Sequence, residues 1–403
     1  MLLHYAAHPI VGGVETVMRA HSRLMAGAGH HVLIVAGRGV QADPDVEFVG
    51  FPLVDSQSPE ILELKRALDS GRVPARFESL SSQIEDGLRA HLREADWLFA
   101  HNVCSLNKNL ALTAALRRIS DDQAAPRLGI WHHDLAWTTP RYAPELHTGY
   151  PWDLLRTDWP RAVHVAVSRH RRKEVAELLG LPETRIRVIP NGIDVGAFMK
   201  LSSEAEEIVS KFHLLEADPL ILLPARITRR KNIEMALRVL AALRERHPAA
   251  RLLVTGPMGP HNAANAAYLE SLLTLRHELK LEESAVMLGL AGGRSVSDET
   301  VGDLYRVADA LLLPSTEEGF GIPLLEAGLA GIPVFCSDIT PLKELGSNDV
   351  SYFSLDGDAQ GVADLISRTL AASRRYALRK RVMREHAWER ICEDHLVPML
   401  EGR

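Results

Sequence analysis

Three cysteines, Cys104, Cys336 and Cys392, are all that the 403 residues contain, and they lie far apart. They make no zinc or disulfide pattern, which excludes a disulfide-stapled scaffold and suits a reducing, cytoplasmic setting. No stretch approaches about 18 consecutive apolar residues, so no membrane span is expected. Excess charge is also lacking: 46 Lys and Arg against 52 Asp and Glu leave a net charge of −6, no footprint for binding bulk nucleic acid. The opening Met1-Leu2-Leu3-His4-Tyr5 runs straight into a glycine turn, and no signal peptide is read there. Internal repeats and low-complexity tracts are missing. The 18 histidines are scattered, and Asp356-Gly357-Asp358 reads as a turn and helix cap, so no metal site is expected.

What is present is a soluble globular composition, 46% hydrophobic and 24% charged, on a chain too long for one ordinary core. Short apolar runs alternate with amphipathic helical stretches. Strands are expected at residues 2–6, 32–36, 46–49, 97–100, 128–131, 164–167 and 187–189, and again at 220–224, 251–255, 285–288, 310–313, 334–336 and 351–353. Helices fall between them, as at 14–28 and 106–119. This alternation means parallel sheets covered on both faces. The pattern restarts after Pro190-Asn191-Gly192-Ile193-Asp194 and the polar stretch 202–207. The expected fold class is therefore α/β: two doubly wound parallel-sheet domains, 1–195 and 196–375, facing a cleft. A closing helix within 374–395 (domain segment 376–403) would pack back on the first domain.

One segment, 134–161, breaks the rhythm and holds Trp137, Tyr142, Tyr150, Trp152 and Trp159. Its rings would either stack on sugars from a binding loop or anchor the loop to its own domain.

Ligands of open parallel sheets bind beyond the C-terminal strand ends, and the unusual residues fall there. Residues 317–326 read Glu-Glu-Gly-Phe-Gly-Ile-Pro-Leu-Leu-Glu after an apolar strand. A glycine turn lets a ligand approach the backbone, and a helix start offers unpaired N–H groups to an anion. Glu318 in the turn and Glu326 in the first helical turn would accept hydroxyls. A diphosphate joined to a sugar satisfies both halves of this device. Arg226 and Lys231, at another strand end, would neutralise a diphosphate leaving group. Arg226 ends an apolar strand, where an unpaired charge is costly; Arg229 and Arg230 read as a solvated face. Gly256 ends the next strand. In the first half, Gly12 and Gly13 turn into a helix, Asn102 follows the fourth strand, and His132, His133 and Asp134 follow the fifth.

Taken together, these motifs resemble the family 4 glycosyltransferases, retaining enzymes of the GT-B fold, over nearly the whole chain. The resemblance implies that Arg226 and Lys231 hold the donor diphosphate and that Glu326 binds the donor ribose. It places Glu318, with the backbone of Gly319, Phe320 and Gly321, on the transferred sugar. His133 would be the histidine near the sugar, with His132 as the neighbouring choice, and Gly13 would lie near the phosphates or the acceptor. No obligatory metal or cofactor is implied, only a GDP- or UDP-linked sugar donor. Mannose or glucose is favoured by the family's usage. The mechanism would be front-face attack by the acceptor hydroxyl. The acceptor stays open among small sugars, glycerate-type molecules and lipid or glycan hydroxyls. So do the oligomeric state and a peripheral membrane contact through the basic run 169–173, which also reads as a solvated helix face. Competing readings are a same-fold epimerase and a catalytically silent nucleotide-sugar-binding module. A dinucleotide oxidoreductase fails for want of a Gly-x-Gly-x-x-Gly after a strand.

Overall fold

The computed structural model describes residues 1–257, 264–290 and 296–402. They form two compact units, Met1–Ile193 with His386–Arg403, and Asp194–Glu385.

Seven parallel strands build the first unit: β1 (Leu2–Ala6), β2 (Val32–Arg38), β3 (Val46–Gly50), β4 (Trp97–His101), β5 (Arg127–His132), β6 (Ala162–Ala166) and β7 (Ile186–Val188). Six build the second: β8 (Leu220–Leu223), β9 (Arg251–Val254), β10 (Ala285–Met287), β11 (Ala310–Leu313), β12 (Val334–Ser337) and β13 (Ser351–Phe353). Every expected strand is found, with ends displaced by no more than two residues. The central strands β8 and β11 are apolar along their whole length and buried on both faces, because helices cover both sides of each sheet.

Strand order is β3-β2-β1-β4-β5-β6-β7 in one unit and β10-β9-β8-β11-β12-β13 in the other. The order reverses between β1 and β4, and between β8 and β11. Connections leaving the paired strands there run to opposite sides, which opens a crevice beyond their C-terminal ends. The motif residues follow β1, β4, β5, β8, β9 and β11, so they gather at or beside the two reversal points.

The aromatic segment is an anchor. Trp152 and Trp159 are buried in the core against the Leu110–Asp121 helix, and Trp137 and Tyr142 pack on it. The Trp137 indole donates to the Trp152 carbonyl at 3.3 Å, while the Arg156 guanidinium lies 4.0 Å over its ring. Only Tyr150 of the five rings is substantially exposed. These tryptophans stabilise their own unit.

The closing helix is interrupted. It runs Arg374–His386, all but its last residue in the second unit, breaks at Ala387, and becomes helical again from Trp388 in the first. The break arises because Ile193 takes over the backbone bonding: its N–H donates to the His386 carbonyl at 2.8 Å and its carbonyl accepts from Trp388 at 3.2 Å. Trp388, Ile391, Leu396 and Met399 then bury against Leu2, Val17 and Trp131. Gly192 admits the Trp388 ring, which a Cβ there would meet at 2.6 Å.

In the second unit the Arg374–His386 helix is latched by a buried ion pair. Lys380 Nζ lies 2.5 Å from the Asp309 carboxylate and donates to the Ala217 carbonyl at 2.7 Å. The same carboxylate accepts from the Leu220 N–H at the start of β8. Removing one partner of such a pair leaves a buried uncompensated charge. Lys380→Met should therefore destabilise this unit by about 3–5 kcal/mol, and adding Asp309→Asn should restore part of the loss. Denaturant unfolding of the single and double variants reads both effects.

Candidate active site

In the second unit the loops after β8 and β11 are tied together by one carboxylate. Lys231 is buried and donates from Nζ to Glu318 Oε1 at 2.5 Å. Ser315 Oγ donates to the same oxygen at 2.7 Å, and Arg230 Nη1 reaches Oε2 at 3.3 Å. The backbones join too, since Thr316 N–H donates to the Arg230 carbonyl at 2.8 Å. Arg230, expected on a solvated face, thus grips the motif loop from its half-exposed position. Burial alone would raise the Glu318 pKa. The hydrogen bonds from Lys231 and Ser315, with the charges of Lys231 and Arg230, outweigh it and hold the carboxyl below the ordinary glutamate range.

Beyond Glu318, Gly319 has open space where a side chain would stand, and Phe320 is exposed. Gly321 caps the Ile322–Ala330 helix at φ 105°, a left-handed conformation suited to glycine, and a Cβ there would meet Leu342 at 2.7 Å. Glu326 lies a full turn into that helix, slightly deeper than expected. Tyr305 fixes it: the phenol donates to Glu326 Oε2 at 2.7 Å and lies 3.2 Å from the Pro323 carbonyl. Tyr305 is buried, and its pKa is pushed well up by burial and then by Glu326.

Arg226 is exposed, and no ion pair or hydrogen bond from its side chain is found among the described residues. The expected cost of a charge ending an apolar strand does not arise, because β8 ends at Leu223 and the side chain projects into solvent. Its backbone is held closely instead. A Cβ on Gly256 would overlap the Ala225 carbonyl, and one on Gly289 would come within 2.7 Å of the Gly256 oxygen. The ends of β8 and β9 and the residues after β10 therefore pack backbone to backbone.

In the first unit, Gly12 precedes the Gly13–Gly27 helix, and Gly13 faces open space. The Glu15 carboxylate folds back over Gly12, 3.8 Å from His4 Nε2. His132 and Asn102 were expected on the ligand side; both are buried with their polar ends turned onto protein. His132 Nε2 pairs with His164 Nδ1 at 3.0 Å, and His164 Nε2 with Asp158 at 3.2 Å. Asn102, at φ 61°, accepts the N–H groups of His133 and Asp134 at 2.9 and 3.0 Å and donates to the Asp134 carboxylate at 3.2 Å. It shapes the loop that presents His133. The His133 ring is incompletely covered, with Nε2 3.1 Å from His101 Nδ1. Its pKa is lowered to about 4, chiefly by burial, with Asp134 opposing and Arg171 adding to the shift.

Sequence reasoning missed Tyr305, Ser315, Gly289 and His101. His101 alone had a usable signal: it ends β4 beside β5, one register step from the histidine pair. The basic run proves to be a paired face, with Arg171 bonded to Glu174 and Arg172 to Glu183, each at 2.8 Å. Asp358 caps the Ala359–Ala372 helix through the Gly361 N–H at 2.6 Å. Among the described residues no cluster of three or more His, Cys, Asp or Glu could hold a metal ion, and no helix is long and apolar enough to cross a membrane.

Two family models match the chain, Glycosyltransferase Family 4 over residues 11–197 and Glycosyl transferases group 1 over residues 204–385. The chain belongs to the family 4 glycosyltransferases. Its two parallel-sheet units are those of the GT-B class. An uncharacterized glycosyltransferase of Methanocaldococcus jannaschii is 29% identical over 57% of this chain and 57% of that protein. D-inositol 3-phosphate glycosyltransferase of Mycolicibacterium smegmatis is 30% identical over 53% of this chain and 46% of that protein. The chain thus spans about half the length of the first curated relatives it matches. A glycogen synthase of Mycobacterium tuberculosis is 23% identical over 95% of this chain and 89% of that one. Among solved structures, Anabaena HepE in complex with UDP and glucose aligns over 100% of both chains at 15% identity and a TM-score of 0.37.

In this family member the Lys231–Glu318 bond has a pH signature. The folded pKa of Glu318 lies below its unfolded value, so its stabilisation is complete above about pH 4.5 and is lost as pH falls through the folded value. Lys231→Met leaves the burial and removes the strongest opposing bond, raising that pKa. Acid unfolding of the variant, followed by circular dichroism, should begin at higher pH than in the parent protein. Superimposable acid limbs would show that the pair holds nothing.

Proposed function

We propose that the chain is a retaining hexosyltransferase, moving mannose or glucose from a GDP- or UDP-linked donor to an acceptor hydroxyl without an obligatory metal. Residues 196–375 bind the donor in this reading, residues 1–195 serve the acceptor, and the segment 376–403 returns to the first domain. The three free cysteines, all buried, accord with a cytoplasmic setting.

The state of Glu318 carries the reading. Both its oxygens are engaged, by Lys231 and Ser315 on one side and Arg230 on the other, which suits a clamp better than a free nucleophile. With Glu318 so engaged, front-face substitution is favoured. The acceptor oxygen bonds to the anomeric carbon on the face from which the phosphate oxygen departs. That phosphate oxygen takes the hydroxyl proton, while Arg226 and Lys231 neutralise the charge left on the diphosphate. Glu318 and the backbone of Gly319, Phe320 and Gly321 hold the sugar, Glu326 the ribose, and His133 a sugar oxygen; Gly256 keeps the Arg226 loop close.

Nucleoside diphosphate release should depend on acceptor, and the product anomer should match the donor's. A donor-by-acceptor matrix scored by product mass and by NMR of the anomeric proton tests this. Inositol 3-phosphate and glycogen belong among the compounds tried as acceptors, since relatives are named D-inositol 3-phosphate glycosyltransferase and glycogen synthase. Donor conversion without nucleotide release would favour an epimerase, and binding without turnover a silent module. Glu318→Ala should abolish most turnover; near-normal turnover removes that residue from the site.

Tyr305→Phe tests the ribose reading. Losing one hydrogen bond to a charged partner costs about 1.5 kcal/mol, roughly tenfold in affinity. KM for the donor should rise by about that factor, with kcat preserved. An unchanged KM would remove Glu326 from the ribose.

A further inference from the structure

We infer that His101 is a positioning residue that fixes His133 in its Nδ1–H tautomer, making His133 a hydrogen-bond donor to a ligand oxygen rather than a proton acceptor. The inference deepens the proposed role of His133 and rests on it.

A bond between two neutral imidazoles needs one N–H and one lone pair. His101 Nδ1 and His133 Nε2 are 3.1 Å apart, so one of them carries the proton. The environment of His101 decides which. The residue is fully buried at the end of β4, its ring stacked 5.0 Å from Trp131, and its Nε2 has no hydrogen-bond partner. If Nδ1 were the acceptor, neutral His101 would carry its proton on Nε2. That proton would then be a buried N–H with no acceptor, the rarer and costlier kind of orphan. His21, the nearest other imidazole at 5.7 Å between ring centroids, has neither ring nitrogen within bonding distance of anything. A doubly protonated His101 would place a charge in the same sealed site. Burial and the neighbouring His133, His21 and His4 oppose that charge. The remaining arrangement has His101 Nδ1–H donating to His133 Nε2.

His101 is itself held, because its carbonyl accepts from His4 Nδ1 at 2.7 Å. His133 is held at its backbone by Asn102. With Nε2 occupied as an acceptor, neutral His133 carries its proton on Nδ1. That nitrogen has no partner among the described residues and is not among the sealed, unpaired atoms. An N–H aimed outward recognises an oxygen lone pair, as on a sugar hydroxyl or ring oxygen. It cannot remove a proton from an attacking hydroxyl. Asp134 and Arg171 are the charged groups that act on this ring, in opposite senses.

Long-range proton–nitrogen correlation NMR on the full chain with 15N-labelled histidine tests this directly, His133 being assigned by the signal lost in His133→Gln. The expected pattern at neutral pH is the Nδ1–H tautomer. His101→Phe keeps a stacked ring and removes the donor, and should release His133 to the Nε2–H form. His101→Asn, which puts an amide N–H near the same place, should restore Nδ1–H. With the best donor and acceptor, kcat/KM should fall about tenfold in His101→Phe, the worth of one lost hydrogen bond, and recover in His101→Asn. An Nε2–H tautomer in the parent protein overturns the inference, whether or not either variant folds. An unaltered tautomer in His101→Phe overturns it too. If the tautomer is as stated but His133→Ala keeps its kcat and KM, the ligand-facing role of His133 is what falls.

Discussion

One buried ion pair organises the strand-end loops of the second unit. Lys231 and Glu318 come from loops on either side of the point where strand order reverses, and their bond closes the gap between those loops. Parallel strands cannot be joined by short turns, so neighbouring strand ends in such a sheet are held only by what their side chains and loops do. Here the join is electrostatic, shielded from water and reinforced by Ser315 and Arg230. On the proposed reading, a diphosphate arriving at this place meets cations already held by a carboxylate. Its binding is then an exchange of anionic partners, with less net charge to desolvate than an empty basic pocket would have.

The first unit uses the opposite strategy. It holds histidines kept neutral by burial, among them His4 within β1 and His133 just after β5, with pKa values lowered to about 3 and about 4. Neutral imidazoles bind by direction rather than by charge, since each nitrogen is either donor or acceptor. Asn102 sets the backbone and His101 the ring.

The α/β architecture was legible because both faces of each parallel strand are covered, which writes short apolar runs such as Leu220–Leu223 and Ala310–Leu313 into the chain. Arg226, Lys231, Glu318 and Glu326 draw the eye in the sequence because their side-chain chemistry stands out near strand ends, and the structure joins Lys231 to Glu318. Roles that depend on partners distant in sequence were not. Tyr305 is an ordinary buried tyrosine on paper, and only its 2.7 Å bond to Glu326 gives it a task. The break at Ala387 was hidden for the same reason: helix-forming residues flank it, and the backbone bonds that interrupt the helix come from Ile193. The tryptophans of 134–161 could have served sugar or core, and burial decided between them.

The glycines at 256 and 289 bring three chain segments into direct main-chain apposition. Segments so apposed have little freedom to shift singly, so a push on one is transmitted as displacement of the stack. The main chain at Ala225, Gly256 and Gly289 therefore behaves like a laminated plate, stiff in its plane, on which a shift at any one leaf is felt by the other two.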